Sequence, residues 1–282
     1  MNLKSILPDN INEYADYVDK DMSENIGRMF YRGLAAHAPE DDSLLSLLIW
    51  ELKSPEGNEG STSELKWIYS ADPSYISSIL NDYHSEVLND GVKKTIFESS
   101  SIKKEEENAL SESGFTIEQV EGSNIDVTLG ECSKLPLFKK HAPLYVQSLN
   151  LLDDQEFLQG IMNILFKDDD PALEDIAFLS RTWYEPEISC YTKTDGKVTG
   201  LFLVHACPSG ILTPVLLFAL GADAKINIVE MLRFSVKAAE DKYPEDTVIR
   251  VHRRNLPVKK ISAKLFPDKK GTPAVSGVRN EE

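Results

Sequence analysis

His205 and Cys207 lie two residues apart at the end of an apolar run, so in an extended chain their side chains share one face. Placed so, the two could face a cleft. A turn-flanking histidine and a buried thiol give the same pattern, and that plainer reading is the expected one. Glu185 and Glu187 stand just before the first strand of the second half, where carboxylates could meet a substrate amine or simply face solvent. Trp50-Glu51 ends a strand and Trp183-Tyr184 precedes one, positions where aromatics more often serve core or rim packing than a ligand stack. From Arg250 to Lys270 there are eight basic residues (Arg250, Arg253, Arg254, Lys259, Lys260, Lys264, Lys269 and Lys270) and one acid, Asp268. Such a cluster suits an anionic ligand or an acidic partner, or is the outer face of a short helix paired with acidic surface. There is no Gly-x-Ser-x-Gly elbow and no His-x-x-x-His pair, so neither a serine hydrolase nor a metal site is expected.

The composition fits a packed globular protein, with 41% hydrophobic and 27% charged residues in 282. The net charge of −16 is unevenly placed. Residues 1–132 hold 26 acidic and 10 basic side chains, whereas residues 133–282 hold 20 of each. Nucleic acid and acidic membrane surfaces are therefore not expected as partners, because phosphate needs positive charge. The longest apolar stretch, Ile211 to Leu220, is strand-sized and interrupted by Thr213 and Pro214, too short to span a bilayer. MNLKSILPDN has neither the apolar core nor the cleavage site of a secretory signal. Three widely spaced cysteines, Cys132, Cys190 and Cys207, suit a reducing cytoplasm, the expected location.

The elements that must position these residues recur in the same order in each half. Helices are expected at Asn10 to Val18 and Ser23 to Met29, then a hairpin of Arg32 to His37 and Ser43 to Leu52 around Pro39-Glu40-Asp41-Asp42. A polar loop from Pro55 precedes a strand at Leu65 to Tyr69. A helix with Ile76, Ile79, Leu80, Tyr83 and Val87 on one face follows, then a strand at Val92 to Glu98, a charged helix at Lys103 to Ser111 and a closing pair of strands within Phe115 to Leu129. The second half gives a helix at Gln155 to Leu165 and a hairpin around Thr194-Asp195-Gly196, where Asp-Gly tolerates positive φ. A strand at Ile211 to Leu220, a helix at Ala224 to Lys242, a strand at Thr247 to His252 and a short helix at Val258 to Leu265 complete it. Cys132 to Pro143 reads as the linker, which divides the chain into 1–132, 133–270 and a tail, 271–282, expected to be disordered. The class is α/β (α+β), two tandem domains with mixed, mostly antiparallel sheets flanked by helices.

This order of elements resembles the GNAT superfamily of acyl-CoA N-acyltransferases, over most of both halves and best from Leu217 to Leu265. After a strand such as Val248-Ile-Arg-Val-His252 the family has Asn-x-x-Ala-x-x-Leu-Tyr-x-Lys-Leu-Gly-Phe. Here Asn255, Ile261, Lys264 and Leu265 fit, and Ser262 stands in place of the tyrosine. In the first half, Ala109-Leu110-Ser111-Glu112-Ser113-Gly114-Phe115 keeps the Gly-Phe and has Leu110 at the tyrosine position.

The resemblance implies acetyl-CoA, or another acyl-CoA, as cofactor and acyl transfer to a small-molecule or peptide amine. It places cofactor contacts at Ala219, Gly221, Lys225, Asn227 and Asn255, with Lys259 and Lys260 reaching the phosphates. Ungapped counting puts Asn227 and Val229 where two phosphate-facing glycines belong, and a valine there would crowd the pyrophosphate. The first half has Ala71-Asp72-Pro73-Ser74 at that point, with no glycine and a repelling carboxylate, so it is not expected to bind CoA in the usual manner. No carboxylate lies on the strand that often carries the base, which leaves Ser262, His205 and Glu187 as the catalytic candidates. Two functions are compatible with this pattern. One is an atypical N-acetyltransferase whose second half is active, its first half a degenerate copy completing the cleft. The other is an inactive GNAT-like binding or regulatory module.

Overall fold

Near-continuous apolar runs in Tyr31–His37 and Leu44–Lys53, buried on both faces, build two inner strands of one sheet. With Asn2–Ile6 as β1, these runs as β2 and β3, and Ser61–Ser70 as β4, four strands follow one another antiparallel. Helix α1 (Lys20–Asn25) lies between β1 and β2, capped by the Asp19 carboxylate, which accepts the Met22 N–H at 2.7 Å. Helix α2 (Ser74–Asn89) buries the predicted stripe of Ile76, Ile79, Leu80, Tyr83 and Val87 against one face of the sheet, and leads to β5 (Val92–Ser99), which runs parallel to β4. Helix α3 (Lys104–Glu112) and β6 (Thr116–Glu121) follow.

The second sheet uses β7 (Asn124–Thr128), a short β8 (Gln147–Ser148), β9 (Cys190–Thr194), β10 (Lys197–Ala206), β11 (Leu212–Ala219) and β12 (Val248–His252). Helices α4 (Leu129–Lys134), α5 (Asp154–Leu165) and α6 (Glu174–Ala177) precede β9; α7 (Ala224–Lys242) joins β11 to β12, and α8 (Leu256–Leu265) follows β12. The sheet order is β7-β12-β11-β10-β9-β8, with β11 and β12 parallel. Core side chains of α7, among them Met231, Val236 and Ala239, pack beside Cys190, Phe202 and Leu212, while Phe157, Ile161 and Ile164 of α5 pack beside Leu201 and Leu203.

This computed structural model describes residues 1–53, 61–140, 143–165, 174–253 and 255–281, and they form two units, each with a mixed, mostly antiparallel sheet flanked by helices. The first is Met1–Gly122 with Thr272–Glu282; the second is Ser123–Gly271. Most of the polar loop from Pro55, and Arg254 of the basic cluster, lie outside the described residues.

Several expectations need correction. The tail is not disordered: Pro273–Asn280 forms β13, inserted between β5 and β6 and antiparallel to both, so the first sheet reads β1-β2-β3-β4-β5-β13-β6. The two strands expected to close the first half do not pair with each other. β6 bonds to β13, whereas β7 bonds to β12 in the second sheet. The division between units therefore falls at Gly122 rather than at the expected linker, whose residues form α4 and a 3-10 turn, Pro136–Lys139, within the second unit. The first expected helix shortens to a 3-10 turn at Ile11–Tyr14, and the next shifts upstream because Asp19, not Ser23, caps it.

Candidate active site

Parallel strands that stop pairing open a crevice at their carboxyl ends, the usual ligand position in such sheets. In the second unit β11 and β12 share one rung, Leu212 with Ile249. A β-bulge follows at once: Val204 faces Pro214 and Leu203 faces Leu216, so Val215 is the extra residue. From the end of β11 the chain turns through Gly221, at φ +87°, into α7; from the end of β12 it passes through Asn255 into α8. Two helix N-termini therefore emerge from the carboxyl ends of the same two neighbouring strands.

These two N-termini differ in chemistry. Asn255 caps α8, its Oδ1 accepting the Val258 N–H at 3.0 Å. Asp223 makes no side-chain cap on α7, so the first-turn amides of Lys225 and Ile226 keep no acceptor within the helix. Asn227, in the same turn, is buried at 7% exposure, and its side-chain amide bonds to no described residue. Ala219 ends β11 opposite Gly200, and the Leu220 N–H donates to the Thr199 carbonyl at 2.7 Å. Val229 lies in the second turn of α7 and not in the connecting turn, which Leu220 to Asp223 make with Gly221 at the position of positive φ. A donor set of open first-turn amides, the Asn227 side-chain amide and the exposed Lys225 fits a diphosphate; the neighbouring Asp223 carboxylate opposes it.

The first unit repeats this geometry with its site filled. β4 and β5 pair from Ser61 with Val92 to Leu65 with Phe97, and then a bulge at Lys66 ends the pairing. The Lys66 ammonium sits between Glu64 at 2.8 Å and Glu51 at 3.0 Å, and Lys53 also pairs with Glu64. Burial would raise the Glu64 pKa, but the Lys66 and Lys53 ammoniums outweigh it and hold the carboxyl at about 2. At the N-terminus of α2, Asp72 accepts the Ser74 N–H at 2.9 Å, and this bonding holds its carboxyl below the usual range. The chain's own carboxylate thus occupies the place an anion would take.

The other candidates lie elsewhere. Glu185 accepts from Lys242 at 2.8 Å and from the Tyr243 hydroxyl at 2.9 Å, and Lys242 also pairs with Glu187 at 2.7 Å. Burial raises the Glu185 pKa, but the Lys242 and Tyr243 hydrogen bonds bring it below its ordinary value. Lys242 closes α7, and its 19 residues at 1.5 Å each set that end about 28 Å from the open N-terminus. His205 is buried, stacked on Trp183 with ring centroids 3.4 Å apart, and its Nδ1 meets the Trp183 carbonyl at 2.7 Å. Cys207 Sγ lies 3.5 Å from the Thr213 hydroxyl. The Ser262 hydroxyl is buried and donates to the Lys259 carbonyl of its own helix at 3.1 Å. The basic cluster divides: Arg250 binds Asp126 through two nitrogens and Lys269 pairs with Glu131, while Lys259, Lys260 and Lys264 stay exposed on α8.

Among the described residues no group of His, Cys, Asp and Glu could hold a metal ion, and no helix is long and apolar enough to cross a membrane. Sequence comparison finds no matching protein-family model and no similar curated protein. Solved structures do match in fold. A tandem GNAT protein from the clavulanic acid biosynthesis pathway aligns over 100% of this chain and 99% of its own, with TM-score 0.63 at 8% identity. N-myristoyltransferase of Saccharomyces cerevisiae, solved with bound myristoyl-CoA, aligns over 99% and 78%, with TM-score 0.61 at 9% identity. A GCN5-related N-acetyltransferase from Sphaerobacter thermophilus aligns over 100% and 96%, with TM-score 0.53 at 10% identity. The chain has the tandem GNAT fold.

Proposed function

We propose that the second unit is an acyl-CoA-dependent N-acyltransferase site, acting on a small-molecule or peptide amine. The observation that carries this reading is the contrast between two equivalent helix N-termini. That of α7 is uncapped beside Asn227, which is 7% exposed, whereas that of α2 is closed by Asp72. An acyl-CoA would supply the thioester: the amine attacks its carbonyl carbon, the C–S bond breaks, and CoA leaves as a thiolate that takes a proton from solvent. Gly221, Lys225 and Asn227, with the chain at Ala219, would hold its diphosphate, and Lys259 and Lys260 its nucleotide phosphate. Asn255 serves this arrangement indirectly, by fixing the start of α8.

β11 has no titratable side chain, so its contribution is backbone. β11 shares one rung with β12, Leu212 with Ile249, and main-chain N–H groups at the crevice would stabilise the oxyanion. The amine is oriented in the crevice and loses its proton to solvent or to a group on the acceptor itself.

A second reading, an acyl-CoA-binding module without turnover, is favoured by one feature. The Ser262 hydroxyl, standing where the family's tyrosine would be, is committed to its own helix. Calorimetry with acetyl-CoA at low salt tests the binding that both readings share. The expected result is micromolar binding, about tenfold weaker in Asn227→Leu and unchanged in Asp72→Ala. No detectable heat at high protein concentration would remove both readings. A screen of amines for acyl transfer by the loaded protein then separates them.

A further inference from the structure

One buried hydroxyl beneath α7 goes unused. Thr192 of β9 is 1% exposed, and its Oγ1 has no hydrogen-bond partner among the described residues. Alternation along β9 sets its direction. Cys190 packs beside Met231 of α7 and Tyr191 beside the core of α5, so Thr192 turns toward α7. Its rung is Thr192, Gly200 of β10 and Ala219, the last residue of β11 before the turn into α7. A Cβ at Gly200 would lie 2.5 Å from Thr192 Oγ1 and 3.1 Å from Met231 Cε, so the hydroxyl and the Met231 side chain meet over the same glycine. Asn227 stands one turn nearer the N-terminus of α7, on the face that Met231 shares, and is 7% exposed. β10 bulges beside this rung: Lys193 faces Val198 and Thr192 faces Gly200, so Thr199 is the extra residue. The Thr199 carbonyl takes the Leu220 N–H at 2.7 Å, which ties the start of the connecting turn to the strand pair that carries Thr192.

Burial strips the Thr192 hydroxyl of water, and a valine of nearly the same shape would carry no such cost. A ligand that brings the hydroxyl a partner removes the cost. We propose that Thr192 is a positioning residue of the diphosphate site at the N-terminus of α7, acting through Asn227. With a diphosphate held there, the Asn227 amide presents its NH2 group to a phosphate oxygen. Its carbonyl oxygen then faces the sheet and accepts from the Thr192 hydroxyl. An amide has a donor end and an acceptor end, so a hydroxyl donor beneath it fixes which end faces the ligand. Thr192 itself does not touch the ligand. This role rests on the acyl-CoA reading of the unit, and differs from it in leaving a mark on the free protein.

The test uses the full chain, read by acetyl-CoA calorimetry and by thermal unfolding without ligand. Thr192→Val is expected to bind acetyl-CoA about fivefold more weakly, having lost one hydrogen bond of the complex. Without ligand it is expected to melt about 2 °C higher than the unaltered protein, because the orphan hydroxyl is gone. Thr192→Ser keeps the donor and is expected to hold the affinity within about twofold. In an Asn227→Leu background, Thr192→Val is expected to change the affinity no further, since the two residues act as one unit. An unchanged or lower melting temperature in Thr192→Val would mean a hydroxyl already bonded in the free protein, and overturns the proposal whatever the ligand does. Unchanged affinity in Thr192→Val, with binding intact in the unaltered protein, overturns it and leaves the acyl-CoA reading standing. An equal loss of affinity in both backgrounds does the same, because Thr192 would then act without Asn227. No binding of acetyl-CoA by the unaltered protein removes the acyl-CoA reading and this role with it.

Discussion

The bulge residues of the two units, Lys66 and Val215, occupy equivalent places and carry opposite chemistry. Val215 packs against the apolar core on the α5 side, whereas Lys66 sits in a half-buried ion cluster. Removing one partner of such a cluster strands the rest, so Lys66→Met is expected to cost about 3 kcal/mol in denaturant unfolding, and Lys66→Arg much less. The cluster also sets an acid limit. Glu64 is depressed from 4.5 to about 2, so its stabilisation is present above about pH 4.5 and is lost as pH falls through about 2. Stability measured across that window should slope less in Glu64→Gln. At Gly221 nothing lies within 4 Å of an added Cβ, so Gly221→Ala is expected to cost about 1 kcal/mol from positive φ alone. None of these roles is legible in the sequence. Glu51, Glu64 and Lys66 read as ordinary alternation, since which of them meet depends on strand register and on one extra residue in the pairing.

Whole elements are easier to read when their cause is local. The α2 stripe, the Asp195-Gly196 hairpin with both residues at positive φ, and the span of α7 follow from neighbours in the chain. Capping then decides what each helix does with its N-terminus. Asp72→Ala is expected to weaken α2 by about 1 kcal/mol, read as a lower melting temperature, without changing acetyl-CoA affinity. Asn255 separates a cap from a ligand contact: Asn255→Asp is expected to keep the stability that Asn255→Ala loses, about 1 kcal/mol. A fall in acetyl-CoA affinity in Asn255→Asp at unchanged stability would instead place the residue against a phosphate.

At the scale of the molecule, the charge asymmetry seen in the sequence sharpens once the units are drawn along the fold. The first unit holds 26 acidic and 11 basic side chains and the second 20 and 19, which are −15 and −1. Self-repulsion in the first should be relieved by salt, so added sodium chloride is expected to slow amide exchange in β2 and β3 more than in β10. An equal effect on both would show that the charges are already compensated within the unit. The exchange of strands escapes a sequence reading for a physical reason. Pro273–Asn280 is a short run of small residues with a glycine at its centre, and its partners on β5 lie far upstream, so no local period marks it. That arrangement also bears on synthesis. A ribosome finishes β6 long before it reaches the codons for β13, and at five to twenty residues per second the nascent first sheet waits on the order of ten to thirty seconds for its missing strand. A message broken or a stop codon gained anywhere downstream of Gly122 would therefore damage the part of the protein already made.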